Sequence, residues 1–382
     1  MSKMKLVVLL IILLNSKYIS GQDFSTTKTI TIASKELNEK REIFIYTPPQ
    51  YQQSIYNNYN VIYVFDAQQK HFFDLANSVT SFISEKDIIN HHIVVGIPAA
   101  LLSDDEGEYY SRGSDYLPKP NYSKQSFWYG RANSSGFMNF LNNELIPFVD
   151  SNYRTSSNRI FVGHSLSASF VLSCFVSKPN LASAYIAISP NIIYDKERLP
   201  NEISKLDSLN RNKFIYLSYT EEDLGFVMTK PTLKKIKLKL QDISHFKADS
   251  IAGKNHYTSF LPGLVNGFTK YYKYLENQGY YDEPKKVKIT VEVPNKEDEV
   301  FISGNHKELG AYEDGKIKLK TISKFIREIE VSVNYPTYIR FTGGINTSEA
   351  IMEKIDLQEA YSFPIDIRSK REFKFKILSW KK

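Results

Sequence analysis

The chain reads as an α/β protein: a doubly wound, mostly parallel sheet followed by a small all-β sandwich. Three observations predict this. The runs Asn60–Phe65 (NVIYVF), His92–Ile97 (HIVVGI), Arg159–Gly163 (RIFVG) and Lys213–Tyr219 (KFIYLSY) are apolar without alternation, as strands buried on both faces of a parallel sheet must be. Segments of helical apolar spacing fall between them, which is the alternation of a βα fold. After Asp282-Glu283-Pro284 only short alternating runs follow, broken by Gly, Asn and Pro. About 100 residues of that kind suggest a β-sandwich.

Each element follows in order. Lys3 and Lys5 precede the unbroken apolar run Leu6–Leu14, and small Gly21 precedes Gln22. This is the secretory signal pattern, and the run is too short to span a bilayer, which takes ~20 residues. Residues 1–21 are therefore expected to be a cleaved leader of a secreted or periplasmic protein that does not span a membrane. Lys28–Ala33 and Arg41–Tyr46 are β-like, and Pro48-Pro49 ends the second. Gly136–Tyr153 places Phe137, Phe140, Leu141, Leu145 and Phe148 on one helical face. Ser165–Val176, Thr229–Gln241 and Tyr257–Asn277 are further helices, and Phe246–Ala252 is a last strand. Pro98–Gln125 has no period and holds acids and prolines, so it is read as a long loop. The β-rich part has runs at Val287–Val293, Glu299–Ser303, Ile317–Leu319, Ile326–Val333, Tyr338–Thr342 and Phe373–Leu378. The expected domains are 22–281 and 286–382.

Composition narrows the function. The 382 residues are 42% hydrophobic and 24% charged, which excludes global disorder. The net charge of +7 includes three lysines of the leader, Lys3, Lys5 and Lys17, and falls to +4 without them, too little to argue for nucleic acid. A single cysteine, Cys174, rules out an internal disulfide and cysteine-ligated zinc or iron–sulfur centres. His91 and His92 are adjacent, so on a strand they point to opposite faces. No metal and no cofactor are expected.

The chemistry centres on Gly163-His164-Ser165-Leu166-Ser167. A strand leads into it and a helix leaves it, the context that gives a G-x-S-x-G elbow its meaning. Ser167 stands in the place of the second glycine. Ser165 is the candidate nucleophile, and the N–H of Leu166 points toward a developing oxyanion at a helix N-terminus. Such a site takes an acid and then a histidine in chain order. His245 precedes the strand Phe246–Ala252 and would lie at the wrong end of the sheet. His256 follows it, beside the elbow, and is the candidate general base. The acid belongs in Thr220-Glu221-Glu222-Asp223. Asp223 comes first and Glu222 next, but spacing does not choose the carboxylate.

With these pieces the sequence resembles the Putative esterase family of α/β-hydrolases, which includes esterase D and the enterobactin-type siderophore esterases. The resemblance covers about Lys28–Gln278. It rests on Tyr46-Thr47-Pro48-Pro49, Tyr63-Val64-Phe65-Asp66-Ala67, Arg112-Gly113-Ser114-Asp115-Tyr116-Leu117-Pro118, Glu144–Arg154, the elbow and Asn255-His256-Tyr257. It implies hydrolysis of carboxylic, thio- or lactone esters without metal or cofactor. It also implies a second oxyanion N–H from Ala67 or Gln68, Ala67 being the first choice. Ala67 and Ser167 depart from the glycines the family has there. Arg112 and Asp115 match a family feature and are candidate substrate-binding residues, with a loop-stabilising ion pair as the plainer role. Trp128, with Tyr129, is a candidate substrate platform. The C-terminal part is similar to a starch-binding-type β-sandwich module, through Val300–Asn305, Leu309–Tyr312 and Ile339–Phe341. With only Tyr312 and Trp380 as aromatic candidates there, a structural or interaction module is the favoured reading.

The expectation is a secreted serine hydrolase acting on a small-molecule or glycan-linked ester, a siderophore ester included. Ranked below it are a non-catalytic binding protein on a decayed hydrolase scaffold and a serine peptidase.

Overall fold

The structure is a computed structural model. It describes residues 26–49, 51–52, 55–85, 91–119, 131–193, 198–203, 205–206, 213–226, 230–241, 245–278, 283–344, 348–353, 362–368 and 370–381. The expected leader, 1–21, lies outside the described residues. Among the described residues no helix is long and apolar enough to cross a membrane.

In chain order the first part comprises β1 (Thr26–Ser34), β2 (Glu39–Thr47), β3 (Tyr59–Phe65), α1 (Lys70–Glu85) and β4 (His92–Ile97). A hairpin follows, β5 (Ala100–Asp104) and β6 (Gly107–Ser111), then α2 (Arg112–Tyr116), α3 (Ser134–Phe140) and α4 (Ile146–Asn152). Next come β7 (Thr155–His164), α5 (Leu166–Ser177), β8 (Ala184–Ile188), α6 (Arg198–Ile203) and β9 (Phe214–Tyr219). The part closes with α7 (Glu221–Phe226), α8 (Lys230–Leu240), β10 (Phe246–Ser250) and α9 (Phe260–Asn277). Eight strands form one sheet in the order β1-β2-β4-β3-β7-β8-β9-β10. Pairing is parallel from β4 to β10, and β1 and β2 join antiparallel at one edge.

The all-apolar runs read from sequence are the central strands, with β3 and β4 buried throughout. One core packs α3, α4, α5, α6 and α8 on one face of the sheet, and a second packs α1 and α9 on the other. The order turns between β3 and β7. From there the chain winds outward in both directions, so their carboxyl ends flank a crevice, the usual ligand position in such sheets.

The structure departs from expectation in several places. β8 (AYIAI) is central yet was not read, because five residues with two alanines carry little strand signal. α1 was not read either. Pro98–Gln125 is not simply loop: it holds the β5–β6 hairpin and α2. The helix read as Gly136–Tyr153 runs from α3 to α4 through a π-helical turn, Leu141–Leu145. Pro147, the second residue of α4, has no N–H to donate, and the π-helical turn directly precedes this helix, with the Ile146 N–H bonding the Leu141 carbonyl.

The second part contains β11 (Lys285–Glu292), β12 (Phe301–Gly304), β13 (Ile317–Lys318), β14 (Lys320–Ser323), β15 (Ile326–Val333), β16 (Thr337–Thr342), β17 (Ala350–Met352), β18 (Phe363–Ile365) and β19 (Glu372–Trp380). These make a five-stranded sheet, β14-β15-β11-β19-β17, and a four-stranded one, β13-β12-β16-β18, around one apolar core. This is the two-layer solution for strands that alternate. Tyr56, in the turn before β3, packs into that core. Its ring lies 4.5 Å from Phe375, its hydroxyl donates to the Lys374 carbonyl at 3.0 Å, and its carbonyl accepts the Asp366 N–H at 3.2 Å. Tyr56→Ala is expected to cost about 2 kcal/mol, through lost ring packing and one hydrogen bond of a half-buried residue. A urea-unfolding midpoint equal to wild type would show that this contact carries no stability.

Candidate active site

Ser165 follows β7 and precedes α5, with φ 60° and ψ −119°. These angles lie outside the ordinary regions for a residue with a Cβ. Its N–H donates to the Ile188 carbonyl at 3.0 Å, and its carbonyl accepts the N–H groups of Ala168, Ser169 and Asn191 at 3.1, 3.2 and 3.0 Å. The turn is so tight that a Cβ on Gly163 would stand 2.5 Å from the Ser167 carbonyl oxygen. Ser167, fully buried, accepts the His164 N–H through its hydroxyl at 3.0 Å and donates to the His164 carbonyl at 2.9 Å. The side chain standing where a glycine was expected thus fastens the elbow.

The histidine and acid loops reach this turn from β10 and β9. His256 Nδ1 lies 2.6 Å from Asp223 Oδ1. A carboxylate only accepts, so Nδ1 carries the hydrogen and Nε2 of the neutral ring is left basic. Asp223 is fully buried, and its second oxygen accepts the Thr220 N–H at 2.6 Å. Thr220 Oγ1 accepts the Asp223 N–H in return at 3.2 Å. Thr220-x-x-Asp223 is thus a capping box at the start of α7, a signal present in the sequence that picks Asp223 from the three acids. Burial alone would raise the Asp223 carboxyl, but hydrogen bonds from His256, Ser189 and the Thr220 N–H outweigh it and hold the pKa below the ordinary value. Glu222 is exposed and accepts the backbone N–H of His256 at 2.9 Å; it touches the loop and not the ring. Glu221 is exposed as well.

Ser189 and Ser259, which sequence reasoning missed, complete this shell. Ser189 directly follows β8, at φ 47°; its hydroxyl lies 2.7 Å from that of Ser259, and Ser259 donates to the His256 carbonyl at 2.7 Å. No local pattern marks Ser189, because the strand that presents it was itself unread.

Among the remaining candidates, Ala67 and Asp115 have partners that the sequence did not indicate. Ala67 was the first choice for the second oxyanion N–H, but that N–H donates to the Ile97 carbonyl at 3.2 Å. The positive φ falls one residue earlier, at Asp66, φ 63°, and the Gln69 N–H closes a turn on the Asp66 carbonyl at 3.0 Å. Gln68, the other position the resemblance implies, lies within this turn, between Ala67 and Gln69. Leu166 is the first residue of α5, where an N–H has no acceptor within the helix. Asp115 does not line the site. It is 2% exposed, pairs with Arg41 at 3.0 and 2.5 Å, and accepts the Ala100 N–H at 3.0 Å. Arg112 is not its partner. Arg112 forks onto Asp66, with Nε and Nη2 each 2.8 Å from a carboxylate oxygen. Trp128 and Tyr129 lie outside the described residues. Among the described residues no cluster of His, Cys, Asp and Glu could hold a metal ion.

His164 packs against Phe72, His256 and Phe260. Its Nε2 lies 2.8 Å from the His256 carbonyl and so bears a hydrogen. Burial chiefly pushes its pKa down to about 4, with His256 and Arg112 adding to the effect against the hydrogen bond to the His256 carbonyl and the Asp66 charge. The unfolded chain takes up this proton near pH 6.5, the folded one only near 4. The stability gained by keeping His164 neutral is therefore complete above about pH 6.5 and is lost as pH falls toward 4. The melting temperature should drop more steeply across that interval in wild type than in His164→Gln. Parallel pH profiles for the two proteins would contradict this.

Residues 34–300 match the model of the family described as Putative esterase. The chain is 24% identical over 249 residues to an uncharacterized protein, YjcH, of Bacillus subtilis, covering 62% of this chain and 93% of that one. Over 85 residues, 22% of this chain and 29% of the other, it is 31% identical to the ferri-bacillibactin esterase BesA of Bacillus subtilis. Among solved structures, an IroE-like serine hydrolase from Shewanella oneidensis superposes with a TM-score of 0.54 at 24% identity, over 65% of this chain and 80% of that one. That likeness establishes the α/β-hydrolase fold.

Proposed function

The chain belongs to the Putative esterase family and hydrolyses esters, and from that premise we propose that it is a secreted serine esterase working through Ser165, His256 and Asp223. The observation that carries the proposal is the 2.6 Å contact between His256 Nδ1 and the buried Asp223 carboxylate, in a loop pinned beside the strained Ser165 turn. Residues 1–21 would be the leader, 22–281 the catalytic domain and 286–382 a β-sandwich module.

In this reading Ser165 Oγ attacks the ester carbonyl carbon and its proton passes to His256 Nε2. Asp223 fixes the ring and stabilises the imidazolium. The N–H groups of Leu166 and Gln68 hold the oxyanion. Collapse expels the alcohol, which takes the proton from His256, and water then hydrolyses the acyl-enzyme by the same steps. The short similarity to a ferri-bacillibactin esterase favours a small siderophore-type ester over a glycan-linked one.

Short-chain p-nitrophenyl esters should give a pre-steady-state burst with wild type and none with Ser165→Ala. Equal turnover by the two proteins would sink the assignment of the nucleophile. Asp223→Asn should lower kcat by about 10⁴-fold, because the amide no longer holds the productive tautomer, whereas Glu222→Gln should stay within about threefold of wild type. The reverse ranking would transfer the acid's role to Glu222.

A further inference from the structure

We infer that Arg112 is a positioning residue that sets the distance between the two halves of the oxyanion hole. The inference rests on the serine-esterase reading. Each N–H of the hole lies just beyond the end of a different strand: Gln68 beyond β3 and Leu166 beyond β7. Hydrogen bonds between paired strands fix the strand bodies, but both chains leave the sheet through turns, at Asp66 and Ser165. Something must hold the two turns at one separation.

Arg112 touches both. Its Nε and Nη2 grip the two oxygens of Asp66 at 2.8 Å each, and Nη2 also reaches the His164 carbonyl at 3.3 Å. On the β3 side, Asp66 is fully buried and in left-handed backbone, and its Oδ1 accepts Gln68 Nε2 at 3.1 Å. Gln68 Oε1 in turn accepts the Ala99 N–H at 2.9 Å. On the β7 side, the His164 carbonyl also receives the Ser167 hydroxyl. A continuous chain of bonds thus runs from Gln68 through Asp66, Arg112 and His164 to Ser167. Both departures from the family pattern lie within or beside it. Only a planar fork can bind the two carboxylate oxygens in parallel and keep a fixed angle to a third acceptor; a lysine supplies the charge but not the angle.

Full-length protein carrying Arg112→Lys should keep its fold and substrate affinity but lose the aligned hole. The expected result is a kcat lower by about 100-fold, the scale of an ångström misplacement, with KM within about twofold of wild type. Affinity for phenylboronic acid, which forms a tetrahedral adduct with a reactive serine, should fall by the same factor, because that adduct uses the hole as the transition state does. Arg112→Met alone would leave a buried carboxylate unpaired. The second variant is therefore Arg112→Met with Asp66→Asn, which removes both charges; it should show the same loss of kcat and boronate affinity. Wild-type kcat and boronate affinity in either folded variant would overturn the inference. A raised KM at unchanged kcat would also overturn it, and would make Arg112 a substrate-binding group. A wild type silent toward every ester and toward the boronate would overturn the esterase reading, and this inference with it.

Discussion

The backbone of Ser165 is the constraint on which the rest of the site depends. A serine at φ 60° and ψ −119° costs on the order of 1–3 kcal/mol and persists only where its surroundings over-determine it. Here they do. The Ile188 carbonyl takes its N–H, three N–H groups converge on its carbonyl, and the Ser167 hydroxyl closes both polar groups of His164 just before it. The cost of this strain is met by ordinary hydrogen bonds and by the burial of β7 and α5 on either side. What the strain achieves is geometric. It turns the chain sharply from the end of β7 into α5, beside the place where the strand order turns.

The histidine is held with comparable economy. Asp223 divides its two oxygens between the cap of α7 and the His256 ring, so the helix start that places the carboxylate also fixes its orientation. The His256 carbonyl accepts from both His164 and Ser259. The His164 ring donates to that carbonyl through Nε2, and its burial among aromatics favours the neutral form. The elbow, the acid and the histidine are thus one hydrogen-bonded body, and displacing any member strains the others.

Much of this was legible in the sequence, for local reasons. The central strands announce themselves because burial on both faces removes polar residues, and the elbow is visible because strand, tight turn and helix are contiguous. Ser165, His256 and the acid loop followed from their places at strand ends. What escaped has a common cause: it depends on partners distant in the chain. Arg41 and Asp115 are 74 residues apart and Arg112 and Asp66 are 46 apart, so the pair that looked local, Arg112 with Asp115, was the wrong one. The spent N–H of Ala67 could not be foreseen without knowing that β4 ends beside β3. β8 escaped for a different reason. It is only five residues long, and its two alanines dilute the strand character of Tyr185, Ile186 and Ile188. Only the choice of Asp223 was within reach, through Thr220 three residues earlier.

Ala67 and Ser167 were the reason to weigh a decayed, non-catalytic scaffold, and the physical reading of each weakens it. A glycine at 67 would permit left-handed backbone. In this chain that conformation falls on Asp66, a residue type that tolerates it, held by Arg112. The glycine expected at 167 supplies room. Ser167 fits with no exposure and adds two hydrogen bonds to the turn. Decay would leave such positions relaxed, with the strained serine free to return to ordinary backbone once nothing required its hydroxyl to project. Instead both substituted positions are buried and fitted into the geometry that keeps Ser165 strained. A scaffold that maintains the strain while changing the residues beside it favours the proposed catalytic role over a binding surface alone, which has no need of that strain.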